Sequence, residues 1–184
     1  MSALAFDNSP LSHFARAGHL ELLRELTAEH SCVVVGEVMT EIVAGIQRHP
    51  SLEAIVHADW LDEVAIGGEA GADLGELSLF ATYAERLVSG TRNVGEAATL
   101  AWAESNAATA VVDDQAGFRA GKERGVTVIR SMRLITGAIS SKLLTEAAAC
   151  NLIDDLLATE QFLPCDGAGF ISWAIQEGLL EEPK

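Results

Sequence analysis

The sequence predicts an α/β protein built on a parallel sheet, and three observations carry that reading. Short apolar runs ending in acidic or small residues alternate with longer amphipathic segments. The apolar runs show little polar alternation, as strands do when helices cover both faces of a parallel sheet. At 184 residues with 49% hydrophobic side chains, the chain can bury a sizeable core and suits a single domain.

Taken in order, residues 3–6 (ALAF) read as a strand ending at Asp7, and Pro10 sits where the first turn of a helix over 10–17 accepts it. A second helix follows over 20–28. Residues 32–35 (CVVV) form the next strand, leading into a helix over 38–48, and 61–66 is a weaker strand. Helices are predicted over 74–88 and 94–105, a strand over 110–112, a helix over 116–125 and a strand over 126–129, with Gly125 stopping the helix just before VTVI. From Ser131 onward helices replace the alternation. Helices over 141–159 and 170–180 make a helical C-terminal extension, residues 141–184, on a core of about residues 3–144. Leu143, Leu144, Ala147, Ala148, Leu152, Leu156 and Leu157 share one apolar face of the first of these helices, which needs the core, a twin or a partner peptide to cover it. A twin is the expectation.

The glycine-rich stretch GGEAGADLGE, residues 67–76, reads as a connector or lid. Neither GxGxxG nor GxxxxGK[ST] occurs, and its carboxylates would repel phosphate. The formal charge of −15, from 27 acidic and 12 basic residues, argues against a grip on nucleic acid or anionic lipid by bulk field, so any such contact must be local. Cys32, Cys150 and Cys165 form no disulfide framework or zinc spacing, which points to a reducing cytoplasm. The start MSALAFDNSP lacks the basic and apolar regions of an export signal, and no run approaches a membrane span.

The acidic residues carry the chemistry. Asp7 ends the first strand, Glu41 lies in EVMTEI, Glu96 opens a helix in NVGEAATLAWA, and Asp113 and Asp114 end a late strand in TAVVDDQAGF. An α/β fold gathers strand ends at one edge of its sheet. Carboxylates brought together there repel unless a cation neutralises them, and oxygen ligands suit Mg2+ or Mn2+ rather than zinc. Hydrolysis of phosphate esters is the chemistry that fits. Taken singly, each residue has a plainer role: Asp7 or its neighbours Asn8 and Ser9 as a helix cap, Glu96 as a partner of a helix dipole, one of Asp113 and Asp114 as a cap for the helix that follows. Only the set outweighs those roles. The five histidines share no ligand spacing and no GxSxG elbow is present, so neither a zinc site nor a serine hydrolase is expected. A haloacid-dehalogenase-like phosphoryl acceptor fits less well, because the Asp pair sits on a late strand and the first strand has one Asp.

The ordered runs DNSPLSHFARAGHLELL, EVMTEI and GEAATLAWAESNAATAVVDDQAGFRAGKERGVTVI resemble the PIN domain ribonucleases, especially their VapC-like branch. The resemblance implies a three-layer α/β/α sandwich around a parallel sheet, Mg2+ or Mn2+ dependence, cleavage of single-stranded RNA, homodimers, and often an antitoxin partner whose tail covers the site. By the family pattern the ligands are Asp7, Glu41, Glu96 and Asp114, with Asp113 as an extra neighbour that substitutes or assists. Glu37, four residues before Glu41 on the same helix face, competes with it. Many members carry Ser or Thr two residues before the last Asp, where this chain has Val112. Arg119, about one helical turn beyond Asp114, is the expected phosphate contact. The alternative is a catalytically degenerate PIN-like module whose acidic surface meets a basic protein.

Overall fold

A computed structural model describes residues 3–68 and 73–182. Of the expected lid, residues 69–72 lie outside the described residues, and from Leu74 the stretch is already helical. The five strands are β1 (Ala3–Phe6), β2 (Ser31–Val35), β3 (Leu61–Val64), β4 (Thr109–Val111) and β5 (Thr127–Ile129). All neighbours are parallel, in the order β3-β2-β1-β4-β5. Helices α1 (Asn8–Arg16), α2 (Leu20–Leu26), α3 (Gly36–Gly45) and α4 (Glu53–Val56) accompany the first three strands. Next come α5 (Leu74–Leu87), α6 (Val94–Ser105), α7 (Gln115–Glu123), α8 (Ser131–Ser140), α9 (Glu146–Leu157) and α10 (Gly167–Gln176).

Strand alternation sorts the side chains into two apolar layers. Leu4, Phe6, Val34 and Val111 pack with Phe14, Val38, Ile42 and Ile135 on one face of the sheet. Ala5, Val33, Ala110 and Val112 pack with Tyr83, Leu100, Ala120 and Val128 on the other. The result is the expected α/β/α sandwich. Because the chain runs outward from β1 through β2 to β3 and then restarts at β4, the strand order reverses between β1 and β4. A crevice for ligands is expected outside the carboxyl ends of strands at such a switch point. Asp7 follows β1, and Asp113 and Asp114 follow β4, so the topology itself delivers three carboxylates to that crevice.

The tail departs from the prediction. A helix over 131–140, absent from the sequence reading, leaves β5 after one residue, and the expected helix over 141–159 starts only at Glu146. Lys142 takes a left-handed backbone (φ 63°), which ends the earlier helix, and Thr145 caps the next by accepting from the Ala148 N–H at 3.1 Å. The predicted stripe divides: Leu143 and Leu144 precede the helix, Leu143, Ala147 and Ala148 are exposed, and only its later turns are covered within the chain. Ala149, Leu152, Ile153 and Leu156 are buried in the same cluster as Phe170 and Ala174 of α10 and Leu4 and Phe6 of β1. Those turns therefore supply no argument for a twin. Among the described residues, no helix is long and apolar enough to cross a membrane.

Candidate active site

Asp7 is held at the switch point by its own backbone, whose N–H donates to the Val111 carbonyl at 3.1 Å, stitching the end of β1 to β4. Its side chain caps α1, accepting from the Ser9 N–H at 3.4 Å. This overturns the division of labour read from the sequence: α1 begins at Asn8, so Asn8 and Ser9 lie inside the helix and cannot spare Asp7 the cap. Asp7 is only 5% exposed. Burial drives its carboxyl up to about 7, with Glu41 and Asp113 pushing the same way and the Asn8 and Ser9 N–H groups opposing.

Glu41 faces α6. Its Oε1 accepts from the Gly95 N–H at 2.9 Å and its Oε2 from the Asn8 amide at 3.3 Å. Glycine at 95 permits this approach, since a Cβ there would stand 2.8 Å from Val38 and 3.1 Å from Glu41 Oε1. Of the two candidates on α3, Glu41 is the one whose charge reaches Asp7 and Glu96. Glu37 has a buried Oε2 without a partner in the first turn.

Glu96 is the most unusual group in the molecule. It is 4% exposed, and neither carboxyl oxygen has a hydrogen-bond partner. The first turn of α7 passes directly against it: a Cβ on Gly117 would lie 2.2 Å from Glu96 Oε1, so a side chain at 117 and the present seat of Glu96 are incompatible. Burial, then the charges of Asp7, Asp114 and Glu41, raise its carboxyl to about 8.

The two neighbouring aspartates have separate tasks. Asp114 is exposed and caps α7, its Oδ1 accepting from Ala116 N–H at 2.7 Å and Gly117 N–H at 3.4 Å. Asp113 turns toward α8. Its Oδ1 accepts from the Ser131 N–H at 2.8 Å, and its Oδ2 from the Ser131 hydroxyl and the Gln161 amide, both at 2.7 Å. Burial raises the Asp113 carboxyl while those donors hold it down. The register leaves Asp114 beside Glu96 and Asp113 beside Asp7.

Asp7, Glu41, Glu96 and Asp114 thus lie within Coulombic reach of one another around Glu96. As placed, no three His, Cys, Asp or Glu side chains among the described residues stand close enough together to hold a metal ion. The donor set nonetheless fits a hard divalent cation. All its atoms are carboxylate oxygens, and a buried carboxylate with no donor is a group that a cation would satisfy.

Two clefts open beside Asp114 and Glu41, while Asp7 and Glu96 lie buried behind them and line neither. One of about 850 Å3 opens beside Asp113 and Asp114, and one of about 370 Å3 beside Asn8 and Glu41, with Ser9 and His13 lining both. His13 Nδ1 stands 2.6 Å from the Thr159 hydroxyl, and burial and the nearby Arg16 lower its pKa to about 4. Lys122, Arg130 and Arg133 line the larger cleft, Arg16 and Arg48 the smaller, so five of the chain's 12 basic residues flank the carboxylates. Arg119 is not among them. It sits on the exposed side of α7, its charge felt by Glu123, and lines neither cleft. Sequence reasoning also passed over Gly117, whose only local signal is a glycine in an N-terminal turn, and Gln161, which reaches Asp113 across 48 residues with no local signal at all.

Carboxylates at the switch point of a parallel α/β sheet, opening onto clefts lined with cations, define a protein that handles phosphate esters. The particular family follows from comparison: the model of the PIN domain matches residues 3–166, and the chain belongs to that family. PIN domains are generally nucleases and typically use divalent metal ions. The match runs past the expected core boundary at about residue 144 and takes in Gln161. No curated protein and no solved structure matches the chain.

Proposed function

We infer that the chain is a Mg2+- or Mn2+-dependent endoribonuclease acting on single-stranded RNA, with Asp7, Glu41, Glu96 and Asp114 as its catalytic carboxylates. The observation that carries this reading is Glu96, buried and without a donor, whose carboxyl feels the charges of Asp7, Asp114 and Glu41. Such an arrangement costs stability in a protein that makes no use of it. A bound divalent cation would supply an activated water and offset the charge that develops on the phosphodiester. Asp7 would hold it from the sheet edge, Glu96 from α6 and Asp114 from the rim, while the Gly95 N–H and Asn8 fix the Glu41 carboxylate. Lys122, Arg130 and Arg133 would bind the RNA backbone as it leaves the carboxylates.

Cleavage of a labelled single-stranded RNA, with and without Mn2+, tests the proposal. We expect hydrolysis by the parent in Mn2+, none in chelator and none by Glu96→Gln. Parental cleavage by Glu96→Gln sinks it. The competing reading, a degenerate PIN-like interaction module, draws on two observations: Asp7 and Asp114 serve as helix caps, and no three carboxylates converge. A Mn2+ titration that shows no binding would favour it. The role of toxin, an antitoxin partner and a homodimer rest on the family resemblance, and a cytoplasmic site of action on the cysteine pattern. We also place the whole chain, residues 1–184, in one PIN-like domain, because α9 and α10 share an apolar cluster with β1.

A further inference from the structure

The larger cleft carries more apparatus than phosphate hydrolysis needs. On one wall the Phe118 ring supports the Arg130 guanidinium at 4.5 Å and the Lys122 ammonium at 5.8 Å. On the other stands Phe162, 96% exposed, the least covered large apolar side chain among the described residues. Phenylalanine left in water at the rim of a cleft gains by covering its ring, and cations in a chain of charge −15 mark where an anion is expected. Arg24, Arg86 and Arg124 are paired with carboxylates elsewhere, whereas Lys122, Arg130 and Arg133 have no ion pair among the described residues. Two buried polar atoms of the cleft residues also have no partner: Arg130 Nε, a donor, and Gln161 Oε1, an acceptor. A ligand that satisfies all of these is flat and aromatic, bears both a donor and an acceptor, and is linked to phosphate.

Building on the ribonuclease reading, we propose that this cleft is a nucleotide subsite that selects unpaired RNA. One base is taken against Phe162, with its polar edge at Gln161 and at Arg130, which Phe118 backs, and its flanking phosphates on Arg133 and Lys122. A base held in a helix has its faces covered by its neighbours and cannot enter. The cleft thereby excludes duplex, and Lys122, Arg130 and Arg133 line the path that the strand takes away from Asp114.

The test is fluorescence anisotropy of the full chain in chelator with three labelled probes: a ten-nucleotide oligouridine, the same strand with abasic sites, and a hairpin duplex. Because Phe162 is almost wholly exposed, Phe162→Ala leaves the fold alone. We expect it to weaken binding of oligouridine about tenfold and to leave the abasic strand unchanged. Arg133→Gln should weaken both single strands and reduce the slope of log affinity against log salt by about 0.7. The hairpin should bind more weakly than oligouridine. Equal affinity of Phe162→Ala and parent for oligouridine overturns the subsite. So do equal losses for the uridine and abasic strands, a hairpin bound as tightly as oligouridine, or no saturable binding by the parent. Chelator keeps hydrolysis out of the measurement, so the two readings fail separately. A protein that shows the Phe162 effect but never cleaves RNA refutes the ribonuclease and supports the subsite, whereas one that cleaves without the Phe162 effect does the reverse.

Discussion

Glu96 and Asp113 sit on either side of the same crevice, both have carboxyls raised by burial, and they differ in one respect. Asp113 receives three hydrogen bonds, two from Ser131 and one from Gln161. Glu96 receives none. A buried charge that has donors is part of the frame, since removing it strands the groups that pointed at it. A buried charge without donors weakens the frame and must answer to something outside the chain. The contrast assigns structural work to the Asp113 side of the crevice and chemical work to the Glu96 side.

The largest effect should come from Glu96→Gln, which keeps the shape and removes the charge. Mn2+-dependent RNA cleavage should fall at least about a thousandfold, roughly 4 kcal/mol of barrier, with the folded state intact by circular dichroism. A loss of fold rather than of cleavage would reverse the contrast. Asp113→Ala should do the opposite. Three donors lose their acceptor at about 1 kcal/mol each, so the protein should be destabilised by about 3 kcal/mol and melt about 6 to 12 °C lower. A melt within a degree of the parent would break the comparison from that side.

Asp114→Asn sharpens it further. Asparagine still caps α7 but loses its charge, so cleavage should drop about 10- to 100-fold with little change in stability. Asp113→Asn should retain most of the activity, and the opposite ranking in initial rates would move the catalytic role to Asp113. The smallest effect is a pH-dependent melt in chelator. The Glu96 carboxyl lies near 8 when folded against an ordinary value of 4.5, so the folded state holds the proton more tightly. Its contribution is fully present below about 4.5 and is lost as pH rises through 8. Glu96→Gln should therefore match the parent near pH 4.5 and melt higher near pH 8.5. His13, lowered to about 4, works in the opposite direction, but it titrates in both proteins and cancels in the difference. A variant that melts below the parent at pH 8.5 would show that the Glu96 charge is satisfied after all.

Much of this was legible in the sequence, for local reasons. The strands announced themselves as apolar runs, and their order put Asp7, Asp113 and Asp114 at one edge. Spacing alone leaves Glu37 and Glu41 in competition, and of the two it is the Glu41 charge that reaches Asp7 and Glu96. What the sequence concealed depends on distance along the chain. The helix Ser131–Ser140 carries no cap of its own, because its first N–H is taken by Asp113, 18 residues earlier. The Arg119 expectation followed helix spacing from Asp114, whereas the cleft takes Lys122 one turn further along the same helix, Arg130 after the next strand and Arg133 from α8. Nor can periodicity distinguish an apolar stripe covered by a neighbouring helix from one awaiting a twin, and α10 settled that for Leu152 and Leu156.

The bond from Gln161 to Asp113, with the contact of His13 to Thr159 across 146 residues, bears on the order in which the chain is made. At about 5 to 20 residues per second, Asp113 leaves the ribosome some 2 to 10 s before Gln161 can meet it. During that interval the carboxylates of β1, α3 and α6 already exist, yet the far wall of the crevice does not. A growing chain thus carries its carboxylates for some seconds before it can close the wall that faces them.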